Sequence, residues 1–180
     1  MNVLGVIGSP RKGGNTDILV EKVLFGAKKN GNVINKIFLN DLNIEPCQAC
    51  MVCKKTGKCV INDDMQKVYT QVLESDCIIL GTPIYWVGIS SQMKTFIDRL
   101  YAFLDKKYNT KLKGKSAVLI AVCGSPDVSM TDLAMQTFER IFSFIGIEVK
   151  GKITVSAREK AEVLKNKAIL EKSFLLGAEL

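Results

Sequence analysis

Three short apolar runs constrain this chain most: Val3–Ile7, Cys77–Leu80 and Ala117–Val122. Each is too short for a buried helix. Each also breaks abruptly into small or turn-forming residues: Gly8-Ser9-Pro10, Gly81-Thr82-Pro83 and Cys123-Gly124-Ser125-Pro126. Runs of this kind read as strands buried on both faces. Strands buried on both faces belong to parallel sheets with helices on either side.

The intervening segments supply the helices. Residues 16–29 place Ile18, Leu19, Val23, Leu24 and Ala27 on one helical face, and Gly31 provides the stop. Val33–Leu39 alternates and reads as a second, partly exposed strand. Asp63–Glu74 reads as a helix burying Met65, Val68, Tyr69, Val72 and Leu73, with Asp63 and Gln66 forming a capping box. Residues 90–104 bury Met93, Phe96, Ile97, Leu100 and Leu104, and residues 131–144 form a further helix ended by Gly146. Ile153–Val155 is the last strand, and a final helix runs from Glu159 to the C-terminus. This alternation predicts one α/β domain over residues 1–180, a flavodoxin-like, doubly wound sheet of five parallel strands in the order 2-1-3-4-5. Helices cover both faces, and a cysteine-rich loop (residues 40–62) follows strand 2.

In such a sheet, ligands bind at the carboxyl ends of the strands, where the three loops named above meet. The first of them, Gly8–Thr16, runs from a strand into a helix N-terminus, whose unpaired N–H groups and positive dipole end attract anions. It matches neither the G-x-G-x-x-G dinucleotide pattern nor the P-loop, since Gly14 stands where the P-loop lysine would be. It offers Ser9, Asn15 and Thr16 with the fixed charge of Arg11, which suits a terminal monophosphate. The alternative is an ordinary strand–helix turn capped by Asn15 or Thr16.

Composition removes several classes. There is no histidine, so His-based relays and His-ligated metals are excluded. The formal charge of +7 lacks the interleaved aromatics or binding motif of a nucleic-acid protein. The densest lysine patch, Lys106, Lys107, Lys111, Lys113 and Lys115, reads as a solvated connection. Its other reading is a docking surface for acidic partners or phosphorylated cofactors. No apolar run reaches membrane-spanning length and none resembles a signal peptide, so a cytoplasmic protein is expected.

Tyr85 and Trp86 follow the second buried run beside Pro83, where a planar cofactor would be held. The competing reading packs both rings into the core. GSPRKGGNT after the first strand together with TPIYW after the third resembles the NAD(P)H-dependent FMN reductase group of flavodoxin-like proteins. The resemblance implies FMN, with its phosphate held by Ser9, Pro10, Arg11, Gly14, Asn15 and Thr16. It further implies a ring held by Pro83, Ile84, Tyr85 and Trp86 and by the loop at Gly124 and Ser125. A homodimer or homotetramer is implied as well.

Cys47, Cys50, Cys53 and Cys59 stand as C-x2-C-x2-C-x5-C. Three cysteines at intervals of three can turn toward one centre, and a fourth after a short loop can close a set of four thiolates. Inside this fold, the spacing resembles the iron–sulfur flavoproteins, which implies a [4Fe–4S] cluster beside FMN. Zinc, or free thiols in a loop without a cluster, are the other readings. Cys77 and Cys123 read as packing residues.

The leading expectation is therefore a flavin-dependent oxidoreductase that moves electrons between a ferredoxin-like donor, a [4Fe–4S] cluster, FMN and a small-molecule acceptor. The alternative is an NAD(P)H-dependent FMN or quinone reductase whose cysteines are incidental. A redox sensor or zinc-stabilised module is a third reading, and it leaves the three loops without a purpose.

Overall fold

The computed structural model describes residues 1–180. Five strands run parallel: β1 (Asn2–Ile7), β2 (Val33–Phe38), β3 (Cys77–Tyr85), β5 (Ser116–Cys123) and β6 (Glu148–Ser156). A sixth, β4 (Gly88–Ile89), pairs antiparallel with the end of β3, so the order reads β2-β1-β3-β5-β6. The helices are α1 (Asn15–Lys29), α2 (Val52–Thr56), α3 (Met65–Glu74), α4 (Ser91–Arg99), α5 (Asp132–Ile145) and α6 (Lys167–Ala178).

Alternation along the strands divides the core in two. Val3 and Ile7 of β1 face one way, with Ile79, Ile120 and Ile153, and are covered by Leu19, Val20 and Val23 of α1. Leu4 and Val6 face the other way, with Ile78 and Leu80, beneath Val68 of α3, Phe96 of α4 and Phe138 and Phe142 of α5. On the first face α1 and α6 cross with their backbones in contact. A Cβ on Gly177 would lie 1.9 Å from the Val23 carbonyl oxygen, and one on Gly26 would lie 2.1 Å from that of Phe174.

Several expectations need correction. β4 was not anticipated: Trp86 (φ 49°) and Val87 (φ 64°) both adopt left-handed backbone, which folds a tight hairpin that the two side chains do not advertise. β6 begins at Glu148, earlier than Ile153, because its first half lies at a sheet edge and carries polar residues. The final helix starts at Lys167, where Asn166 caps it by accepting from the Ile169 N–H (3.1 Å); a 3-10 turn, Glu162–Lys165, precedes it. The segment 90–104 is α4 followed by a 3-10 turn, Leu100–Phe103. Leu73 is exposed.

The capping box at residue 63 forms only in half. Asp63 accepts from the Met65 N–H (3.0 Å), but the Gln66 amide donates to the carbonyls of Cys59 (3.2 Å) and Ile61 (2.6 Å). Asp63 is drawn instead toward Arg99.

Candidate functional site

The carboxyl ends of the central strands surround a cleft of about 280 Å³, at the lower edge of the ~300–1,000 Å³ usual for small-molecule sites. Ser9, Arg11, Gly14, Asn15 and Thr16 line it from the loop after β1. Pro83, Ile84 and Tyr85 line it from the end of β3, and Gly124 from the loop after β5. The loop after β6 adds Ala157, Arg158 and Lys160.

A buried polar brace sets the first two of these loops against each other. Gly8 N–H donates to the Gly81 carbonyl (2.8 Å), while the Ser90 hydroxyl donates to the Gly8 carbonyl (2.7 Å). Ser90 N–H in turn donates to the Thr82 hydroxyl (3.0 Å), and both side chains are fully buried. Ser90 also caps α4, accepting from the Met93 N–H (3.3 Å). Residue type alone could have suggested the cap but not the brace, which joins residues 82 positions apart.

At the α1 N-terminus, the first intrahelical bond runs from Ile18 N–H to the Gly14 carbonyl (3.0 Å). The N–H groups of Asn15, Thr16 and Asp17 thus have no helical partner, and no side chain caps them. Gly14 lets the loop close tightly on itself: a Cβ there would stand 2.8 Å from the Arg11 carbonyl oxygen. Asp17, which would repel an anion, is already engaged. It accepts from the Gly13 N–H (2.7 Å), holding Gly13 in left-handed backbone (φ 66°), and pairs with Lys36 (3.2 Å). Burial works against the Lys36 charge, but Glu21 and Asp17 more than restore it and raise the Lys36 pKa. Arg11, Arg158 and Lys160 form no ion pair with any carboxylate.

Not every expected residue enters the cleft. Pro10 is exposed outside it, Ser125 turns its hydroxyl to the Asp127 N–H (3.1 Å), and Trp86 stands in solvent, 102% exposed. The Trp86 position follows from the left-handed turn, which throws its side chain clear of Tyr85. Asn15 lines the cleft, but its side chain is committed to the loop after β6. Arg158 and Lys160 escaped the sequence reading because no motif surrounds them.

The cysteine segment packs beside α4, on the side of the sheet covered by α3, α4 and α5. Cys47, Cys50, Cys53 and Cys59 all line one small cavity of about 20 Å³, whose floor is Arg99, Tyr101 and Ala102. Left-handed backbone at Ala49 (φ 51°) and Met51 (φ 60°) bends the chain between the thiols. Burial raises the Cys53 thiol pKa; Lys54 opposes this, and Cys59, Cys50 and Cys47 add to it. The set of four thiols suits a soft metal or an iron–sulfur cluster. In this structure, however, no three Cys, Asp or Glu side chains form a ready metal-holding group. Cys77 and Cys123 are buried at strand positions.

The segment is tied down at both ends. The Arg99 guanidinium, 0% exposed, donates to both carboxylate oxygens of Asp63 (2.5 and 3.0 Å) and to the Glu45 carbonyl (2.7 Å). Asp63 also accepts from the Glu45 N–H (2.9 Å). Burial would raise the Asp63 pKa, but Arg99 and the Glu45 and Met65 N–H groups outweigh it and hold that pKa below the usual carboxylate value. In the middle, Lys54 donates to the carbonyls of Tyr101 (3.0 Å) and Leu104 (2.8 Å) and sits 3.5 Å above the Tyr101 ring.

A doubly wound parallel sheet with a cleft at the carboxyl ends of its strands defines the flavodoxin-like class of α/β proteins. Within that class, the family model for NADPH-dependent FMN reductase matches residues 1–161, and the chain belongs to this family. An "Iron-sulfur flavoprotein" of Archaeoglobus fulgidus is 36% identical over 130 residues, 71% of this chain and 58% of that protein. "Iron-sulfur flavoprotein MJ1083" of Methanocaldococcus jannaschii is 42% identical over 99 residues, 55% of this chain and 51% of that protein. The matches to these two therefore span only about half of the relatives' own lengths. "Putative NAD(P)H-dependent FMN-containing oxidoreductase YwqN" of Bacillus subtilis is 31% identical over 171 residues, 92% of this chain and 91% of that protein. Among solved structures, "Trp Repressor Binding Protein" of Bacillus subtilis superposes with a TM-score of 0.74 at 29% identity, covering 97% of this chain and 98% of the other.

Proposed function

We propose that this protein is an FMN-dependent oxidoreductase, with the flavin seated in the cleft at the carboxyl ends of β1, β3 and β5. One observation carries the reading: unpartnered helix N–H groups and unpaired cations share a single cleft with an apolar wall at Pro83–Tyr85. The Asn15, Thr16 and Asp17 N–H groups and Arg11 receive the phosphate, with Ser9 beside them. Pro83, Ile84 and Tyr85 lie along one side of the ring, and Gly124 leaves room at its edge. Bound there, FMN supplies a carrier of one or two electrons. The protein's own work is to fix the flavin's position and to shield it from bulk water.

The cysteine segment is the proposed seat of a [4Fe–4S] cluster held by Cys47, Cys50, Cys53 and Cys59. The C-x2-C-x2-C-x5-C spacing, together with the names of the two archaeal relatives, supports this. The donor would be a ferredoxin-like protein, a choice favoured by the +7 charge, and the chain would act as a homodimer or homotetramer. A second reading, an NAD(P)H-dependent FMN or quinone reductase without a cluster, draws on the nearly full-length similarity to YwqN. Iron, sulfide and flavin contents after oxygen-free purification separate the two. About four irons and one FMN per chain are expected for the first. Flavin without iron, reduced rapidly by NADPH, selects the second, and protein that neither contains nor takes up FMN rejects both.

A further inference from the structure

The cleft carries more positive charge than the loop after β1 provides, and the excess comes from one segment, residues 157–163. Asn15, the first residue of α1, holds that segment against the helix N-terminus. Its side-chain N–H groups donate to the carbonyls of Ala157 (3.1 Å) and Glu159 (2.7 Å), which flank Arg158. Its carbonyl oxygen accepts from the Val163 N–H (3.2 Å). From the far side, Glu162 accepts from the Arg158 (2.6 Å) and Glu159 (2.8 Å) N–H groups.

Lys160 therefore sits beside the phosphate loop, and Arg158 beside the loop after β5 on the rim of the same cleft. The Lys160 Cε is 3.8 Å from where a Cβ on Gly13 would stand. The Arg158 Cγ has the same separation, 3.8 Å, from a Cβ on Gly124. Both side chains belong to exposed residues that line the cleft and have no carboxylate partner.

We propose that Arg158 and Lys160 complete a three-cation clamp with Arg11 and make the cleft select a phosphorylated flavin over riboflavin. The inference rests on the flavin reading above. A phosphate monoester carries roughly −2 at neutral pH, while a helix N-terminus offers only about +0.5 and Arg11 one further charge. That leaves about half a charge uncompensated, and Arg158 and Lys160 together more than cover it, so the cleft keeps a net attraction for a dianion at its solvent-facing edge. The oxidised isoalloxazine ring and ribityl chain carry no net charge, so losing these cations costs them less than it costs the phosphate.

The test is a titration of flavin-free protein with FMN and with riboflavin, followed by flavin fluorescence at low and high salt. The proteins compared are the unmutated chain, Arg158→Gln, Lys160→Gln and the double variant. The double variant is expected to bind FMN at least about tenfold more weakly, with a flatter salt dependence, and riboflavin within about twofold of the unmutated chain. Equal weakening toward both flavins, or unchanged FMN affinity, overturns the inference. So does an unmutated chain that binds the two flavins equally well. An unmutated chain that binds neither flavin overturns the flavin reading itself, and this inference with it. Matching melting temperatures across the series verify that the exposed substitutions leave the fold intact.

Discussion

Among single residues, Arg99 has the largest consequence outside the cleft. A guanidinium removed from water is tolerable only when it is fully partnered, and here Asp63, the Glu45 carbonyl and the Tyr69 hydroxyl occupy its donors. Arg99→Met leaves the Asp63 carboxylate buried and is expected to cost about 3–5 kcal/mol, read as a fall in urea midpoint. The pair also sets an acid limit. Because the Asp63 pKa is depressed on folding, its stabilisation is complete above the ordinary Asp value of 3.8 and disappears as pH falls through the lower folded value. Unfolding midpoints from pH 5 to pH 2 should therefore fall more steeply for the unmutated protein than for Asp63→Asn. From sequence Asp63 read as a helix cap, because nothing local announces a partner 36 residues away.

At the level of elements, the tied cysteine segment and the α1–α6 crossing are fastened in different ways. The cysteine segment is held at its ends through Arg99–Asp63 and in its middle through Lys54, and its four thiols border one small cavity. Cys50→Ser is expected to lower iron content below half of the unmutated value after anaerobic reconstitution, with FMN content unchanged, since the two sites share no residue. The α1–α6 contact is close enough to forbid any side chain. Gly177→Ala would push α6 off α1 at a cost of about 1–3 kcal/mol or more, visible as a lowered melting temperature. The buried strands and most helices were legible because their apolar periodicity is local. The early start of β6, the hairpin β4 and the late start of α6 were not. Each is decided by edge exposure, left-handed backbone or a cap, and apolar pattern does not encode these.

For the whole molecule, the two core faces leave the carboxyl edge of the sheet as the meeting place of four loops. Any ligand there braces β1, β3, β5 and β6 together. FMN at one hundred times its dissociation constant is expected to stabilise the fold by about 2.7 kcal/mol; a thermal scan that does not move with FMN would count against the site. The part of the site built from the chain's opening motif was readable, since strand, small-residue loop and helix follow one another in sequence. Ser90, Arg158 and Lys160 were not. They reach the same place from distant positions, and only the topology brings them together.

The hairpin that carries Trp86 has an optical consequence. The chain contains a single tryptophan, and it stands fully in water one residue from the cleft wall at Tyr85. Its emission should be red and water-like in the flavin-free protein. An isoalloxazine ring seated against Pro83–Tyr85 would absorb in that range at very short separation, so the indole emission should dim in step with occupancy. The protein thus carries its own gauge of cofactor loading, readable without a label and without turnover.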